Sequence, residues 1–235
     1  MAGTRHILIT GTSRGLGRSM AEHFLAQGDH VIGCARSPSS IDHANYLHCA
    51  LDITDEQAIV ELFSKLRKTI NQLDGLINNA GVASMNAFAL TPVSALQKTF
   101  NVNLQGTFLL CQKALGLLKK AEHPRIINMT TVAVPLHLEG EAVYAASKSA
   151  VETLTRIIAK EYGAYGITCN AIGPSPIDTD LIKGVPANKI QALVQQQALK
   201  RMATPQDVIN LAEFFLRPQS QMITGQIVYL GGIMP

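Results

Sequence analysis

Short apolar runs alternate along the chain with longer stretches in which apolar residues return every three or four positions. The runs at 6–10, 30–36, 46–51, 74–78, 125–131, 167–172 and 226–230 are rich in Ile, Val and Leu and are bounded by turn residues, so they are read as strands. Helical spacing fills 16–27, 55–70, 93–120, the stretch from Tyr144 to Gly163 or Gly166, 186–201 and 205–216. Gly28 stops the first of these, and Thr54 or Asp55 can cap the second. Strands and helices alternate throughout, which predicts an α/β fold. The expected form is a single-domain Rossmann-type doubly wound parallel sheet of about seven strands, with helices on both faces. Asn101 and Asn103 fall inside the expected 93–120 helix, where asparagine is unfavourable, so a buried polar role for one of them is expected.

Composition narrows this picture without changing it. At 235 residues and 47% hydrophobic content the chain can bury one large core, so a single domain spanning 1–235 is expected, with a substrate lid at 180–202. The formal charge of +3 comes from interspersed residues of both signs, which argues against nucleic acid or a membrane surface as partner. Cys34, Cys49, Cys111 and Cys169 form no CxxC pair and no metal spacing, so reduced thiols, no metal site and a cytoplasmic location are expected. The chain begins at Met1 without an apolar leader pattern, and no apolar run reaches membrane-spanning length, which predicts a soluble protein.

Three stretches carry candidate chemistry. Gly11, Gly15 and Gly17 lie between the first strand and first helix, where a chain must turn sharply and bring backbone N–H groups to a phosphate. The second strand ends in Ala35-Arg36 with no acid at its tip, and Arg14 sits in the glycine turn; two guanidiniums suit a ribose 2′-phosphate. Tyr144 and Lys148 stand four residues apart, one turn on one helix face. A cation beside a phenol favours the phenolate and should lower its pKa, making Tyr144 a general acid/base tuned by Lys148.

In this order the motifs resemble the short-chain dehydrogenase/reductase family from Thr10 to Gly232. They are the glycine turn, Asp52-Ile53, Asn78-Asn79-Ala80-Gly81, Asn103 in Val-Asn-Leu-Gln-Gly, Tyr144 with Lys148, Pro174 with Ile177-Asp178-Thr179, and Thr224-Gly225-Gln226 before Gly231-Gly232. The nearest flavour is that of 3-oxoacyl-carrier-protein reductases and similar NADPH-dependent carbonyl reductases. The resemblance implies that Gly11, Ser13, Arg14, Gly15, Leu16 and Gly17 wrap the cofactor phosphates and ribose, and that Arg36 meets the 2′-phosphate. Asp52 and Ile53 would hold the adenine edge, Asn79, Ala80 and Gly81 the ribose, and Pro174, Ile177 and Thr179 the nicotinamide end. It further implies that Tyr144 protonates a substrate carbonyl oxygen while hydride reaches the carbon. Lys148 would also bind the nicotinamide ribose, and Asn103 would position a water that relays protons to Lys148.

Two positions depart from the family pattern. Thr131 stands where the family usually has serine, keeping the hydroxyl and adding a methyl. Ser175 replaces a glycine, which requires an ordinary backbone conformation there. The expected cofactor is NADP(H), with NAD(H) second, and the expected substrate a small carbonyl or alcohol compound, free or carrier-bound. An NAD-dependent alcohol or sugar dehydrogenase, or a catalytically silent cofactor-binding regulator, are the alternatives. A homodimer or homotetramer is implied. Val151, Leu154 and Ile158 fit either a subunit interface or the protein's own core.

Overall fold

A computed structural model describes residues 4–233. Its seven parallel strands run β1 (His6–Thr10), β2 (His30–Ala35), β3 (Tyr46–Ala50), β4 (Gly75–Asn78), β5 (Arg125–Met129), β6 (Thr168–Gly173) and β7 (Ile227–Tyr229). They lie in the order β3-β2-β1-β4-β5-β6-β7. The chain winds outward from β1 to β3 and then returns to β4, so the switch point falls between β1 and β4, where open α/β sheets bind ligands. This is the doubly wound sheet that the alternating pattern predicts.

The eight helices are α1 (Gly15–Ala26), α2 (Glu56–Thr69), α3 (Val93–Phe100), α4 (Gly106–Leu118), α5 (Ala133–Leu136), α6 (Ala142–Tyr162), α7 (Ala187–Gln196) and α8 (Pro205–Leu216). Alternation along the strands sorts the core into two layers. Leu8, Ile32, Leu76 and Ile126 face α2, α4 and α6, packing with Phe63, Leu66 and Leu110. Ile7, Ile9, Val31 and Ile77 face the other way, onto Phe24 of α1 and Phe215 of α8. Emptying one such aromatic site, as in Phe63→Ala, should cost roughly 3–5 kcal/mol.

Side chains cap the starts of two helices. The Asp55 side chain accepts from Ala58 N at 3.1 Å and starts α2. Thr204 and Asp207 form a reciprocal capping box on α8, whose first residue is Pro205.

Three expectations change. The 93–120 helix is two helices, because Asn101–Gln105 forms one wider π-helical turn between α3 and α4. That turn sends Asn103 into the interior, fully buried, while Asn101 stays exposed. β5 ends at Met129, leaving Thr130 and Thr131 beyond the strand. Of the 186–201 stretch, open to one or two helices, only Ala187–Gln196 forms a helix, and Gln197 just beyond it is buried. The open choice at α6 resolves toward the core for Val151 and Ile158, which are buried, with Leu154 half-buried against the same layer. No helix among the described residues is long and apolar enough to cross a membrane.

Candidate active site

The carboxyl ends of β1 and β4 are tied together by side chain and backbone. Thr10 Oγ1 accepts from the amides of Asn79 and Ala80 at 3.0 and 2.9 Å, and Asn79 Nδ2 donates to Thr10 O at 2.8 Å. Gly11 turns away from β1 at φ +76° while its amide donates to Cys34 O at 2.7 Å. Gly15 opens α1 at φ +57°, a left-handed conformation that favours glycine. No side chain caps α1: Arg14 occupies the cap position in an extended conformation with its guanidinium turned elsewhere. The first-turn N–H groups of α1 are therefore left for a ligand.

The opposite wall is built from β5 and α6. Tyr144 is buried, and its ring and Thr131 line the same cleft. One turn on, Lys148 is also buried, and its Nζ donates to Met129 O at 2.8 Å. Ser147 Oγ, which no sequence motif singled out, donates to Tyr144 O at 2.7 Å and accepts from Asn103 Nδ2 at 2.9 Å. Asn103 is held in turn by Val82, whose amide donates to Oδ1 at 2.9 Å and whose carbonyl accepts from Nδ2 at 3.0 Å. A Cβ on Gly81 would lie 3.3 Å from Asn103 Oδ1 and 3.4 Å from Lys148 Nζ, so glycine there lets these groups close around the backbone.

The electrostatics reverse one expectation. The cation at Lys148 does not draw the Tyr144 phenol below its ordinary value. Burial instead pushes it up to about 12, against a lowering by the Thr131 hydroxyl and with a smaller rise from Glu141. Removing a phenolate from water costs more than the surroundings return. Burial also brings Lys148 down to about 8.

Thr131, Tyr144, Lys148, the glycine turn, Arg36, Asp52, Ile53, Asn79-Ala80-Gly81, Pro174, Ile177 and Thr179 all line one cleft of about 950 Å³. Among the predicted site residues, Asn103 stands behind this lining. Ser175 is buried and has no positive φ, as the loss of glycine requires. Arg14 and Arg36 reach the cleft, but the expectation that no carboxylate lies near them fails. Arg36 sits 3.9 Å from Asp52, because the end of β3 lies beside the end of β2, and Arg14 sits 3.2 Å from Asp180, beyond β6. Both pairs are largely exposed.

Sequence reading passed over Glu141, which directly precedes α6 and lines the cleft. Its position three residues before Tyr144, on the same helix face, was the available signal.

Residues 11–232 match the family profile described as Enoyl-(Acyl carrier protein) reductase. The chain belongs to the short-chain dehydrogenase/reductase family. Within it, the chain is 29% identical over 233 residues to the 3-oxoacyl-[acyl-carrier-protein] reductase FabG of Escherichia coli K12, covering 97% of this chain and 96% of that one. A crystal structure of an Agrobacterium tumefaciens candidate gluconate dehydrogenase superposes with a TM-score of 0.90 at 30% identity, covering 98% and 95% of the two chains. A Leptospira borgpetersenii short-chain dehydrogenase with bound NAD+ superposes with a TM-score of 0.88 at 27% identity, covering 97% and 92%. Membership of the short-chain dehydrogenase/reductases makes the chain an NAD(P)-dependent oxidoreductase.

Proposed function

We propose that this chain is an NADPH-dependent reductase that converts a ketone or 3-oxoacyl group to an alcohol. One observation carries the reading: the buried Tyr144 phenol shares a single cleft with Thr131, the glycine turn and Lys148. The residues present fit a dinucleotide. The uncapped start of α1 offers N–H donors to a pyrophosphate, two guanidiniums lie at the far end, and the volume is in the range of cofactor clefts, about 300–1,000 Å³.

The reduced cofactor supplies hydride to the carbonyl carbon when bound. Gly11, Ser13, Gly15, Leu16 and Gly17 would hold its phosphates and ribose, and Arg14 and Arg36 the 2′-phosphate. Asp52 and Ile53 would meet the adenine, Asn79 and Ala80 a ribose, and Pro174, Ile177 and Thr179 the nicotinamide end. Thr131 and Tyr144 would point their hydroxyls at the substrate oxygen. A phenol with a pKa near 12 keeps its proton at neutral pH, which is the form reduction of a carbonyl needs. Tyr144 would pass that proton to the developing alkoxide. Lys148, fixed on Met129 O, would place positive charge beside the phenol and favour the phenolate left behind. Asn103 would position the α6 start through Ser147 and serve the proton path to Lys148.

The test is loss of reduced-nicotinamide absorbance when NADPH is mixed with the protein and a panel of acyl thioesters, cyclic ketones and keto-sugars. Turnover of at least one is expected. NADPH binding without turnover across the panel would overturn the reading.

The carboxylates beside both arginines favour a second reading, an NAD-dependent alcohol or sugar dehydrogenase. The NAD+ of the Leptospira relative and the candidate gluconate activity of the Agrobacterium relative agree with it. Tighter binding of NADH than of NADPH would establish it. A cytoplasmic homodimer or homotetramer accompanies either reading. Phe108 of α4 and Ile157 of α6 leave apolar surface exposed on the helices expected at the contact. A monomer mass by light scattering would refute this.

A further inference from the structure

Glu141 occupies a position where a carboxylate ordinarily has work to do. At the N-terminus of a helix it would accept from first-turn amides and complement the positive end of the dipole. Glu141 makes no such capping bond. Its backbone is fixed, with its amide donating to Leu138 O at 3.2 Å and its carbonyl accepting from Ala145 N at 2.7 Å. The residue is 7% exposed, its Oε2 is sealed from solvent and has no hydrogen-bond partner, and the side chain lines the same cleft as Tyr144 and Thr131.

A buried carboxylate without a partner is costly, and native chains keep few of them. Here the neighbours do not relieve it. The cleft it lines includes the apolar Met85, Leu138, Val185, Ile190 and Leu193, and the donors His137, Lys189 and Gln196 that also line it make no hydrogen bond to Oε2. Lys189 on α7 is exposed and acts on the carboxylate through space, leaving Oε2 without a partner. Gly140, at φ +84°, sets the chain direction just before Glu141, and a Cβ there would come within 3.1 Å of Met85 Cγ. The carboxylate is thus held in the pocket with Oε2 unpartnered, three residues before the phenol.

We propose that Glu141 accepts a hydrogen bond from the substrate itself, from a hydroxyl or ammonium group a few bonds away from the reacting carbonyl. The inference rests on reading the cleft as a reductase site and narrows its substrate class. Plain alkyl ketones and saturated oxoacyl chains bring no donor and leave the carboxylate unpaired. Hydroxylated or amino-substituted carbonyl compounds satisfy it. A site with a buried polar group discriminates strongly against an analogue that lacks the partner.

The test uses the full chain saturated with NADP+ and reads ligand binding by saturation-transfer NMR, which does not depend on turnover. The probes are cyclohexanol, its 1,2-, 1,3- and 1,4-diols, and the corresponding aminocyclohexanols, with wild type, Glu141→Gln and Glu141→Leu. At least one donor-bearing ring should bind wild type about tenfold or more tighter than cyclohexanol, and Glu141→Leu should reduce that ratio to about twofold or less. Glu141→Gln keeps an acceptor and should retain the preference for a diol while losing that for an ammonium, which separates the two donor types. Equal binding of all rings to wild type, or a preference that survives in Glu141→Leu, overturns the proposal; the wild-type comparison suffices if the leucine variant fails to fold. Reductase turnover of cyclohexanone and its hydroxylated relatives is recorded alongside. A binding preference without turnover would sink the reductase reading and leave the Glu141 contact standing.

Discussion

The two walls of the cleft are built on different principles. The β5–α6 wall is cross-tied below its surface: Asn128 Nδ2 donates to Thr155 at 2.8 Å, Lys148 to Met129 O at 2.8 Å, and Thr130 to Glu152 Oε1 at 2.6 Å, where Tyr229 also donates at 2.7 Å. Those ties fall at 148, 152 and 155, one face of α6. The wall formed by 180–196 has little of this. Helix α7 buries only Leu193 and Val194, and the link to the glycine turn is the exposed Arg14–Asp180 pair. The groups proposed for the chemistry are thus over-determined, while the proposed lid is held by few contacts.

The strongest way to break this contrast is to remove the phenol from the well-tied wall. Tyr144→Phe deletes one hydroxyl and leaves the packing of the ring, so turnover should fall about 10²- to 10⁴-fold while calorimetry shows nearly unchanged cofactor binding. Wild-type rates in this variant would remove Tyr144 from the chemistry.

The same wall makes a claim about pH. Burial lowers Lys148 from 10.5 to about 8, so below pH 8 the folded protein carries a buried ammonium that the unfolded chain keeps in water. Between pH 8 and 10.5 the unfolded chain holds a proton that the folded one has released, so this group's contribution to stability rises with pH, by roughly 3 kcal/mol in all. The raised Tyr144 and Cys111 pull the opposite way at alkaline pH, so the measurement is a difference. The denaturant stability of wild type minus that of Lys148→Met should climb over this window. A flat difference would mean that the ammonium is better solvated than its burial indicates.

Much of the well-tied wall and of the sheet was legible in the sequence because its signals are local. Ile7, Leu8 and Ile9 announce a strand buried on both faces, and Gly11, Gly15 and Gly17 announce a tight turn from strand to helix; the fold keeps the strand and the turn. Tyr144 and Lys148 need only helical spacing to share a face. What could not be read depends on meetings between distant segments. The wide turn at Asn101–Gln105 follows from Asn103 reaching Val82 and Ser147, and no local propensity encodes it. Asp52 comes beside Arg36 because β3 pairs with β2, and Asp180 meets Arg14 because the segment after β6 returns to the glycine turn. The sign of the Tyr144 shift was misjudged because spacing reports a neighbouring charge but not the depth of burial. Gln197 lies buried against Gly231, another meeting of distant segments.

At the far end of the cleft, Arg36→Ala sharpens the comparison for cofactor choice. Loss of a charge-assisted contact to a 2′-phosphate should weaken NADP+ binding about tenfold and leave NAD+ within about twofold. Fluorescence titration of both nucleotides gives the ratio. An unchanged ratio would mean that Asp52, 3.9 Å away, already neutralises Arg36 and would favour the NAD-dependent reading.

The smallest effect belongs to the loosely held wall. Asp180 lies between Lys183 and Arg14, which hold its carboxyl below the usual carboxylate range. Both its partners are mostly exposed, so salt and solvent screen the pairs and little stability rests on them. Asp180→Asn should therefore leave the melting temperature nearly unchanged. Its effect should appear in cofactor binding, since it frees the Arg14 guanidinium and removes a negative charge from the cleft mouth. NADP+ should bind about threefold tighter or less at low salt, with the gain vanishing at high salt. Weaker binding instead would show that Asp180 holds the lid over the cofactor through Arg14, and the exposed wall would then be as specifically tied as the buried one.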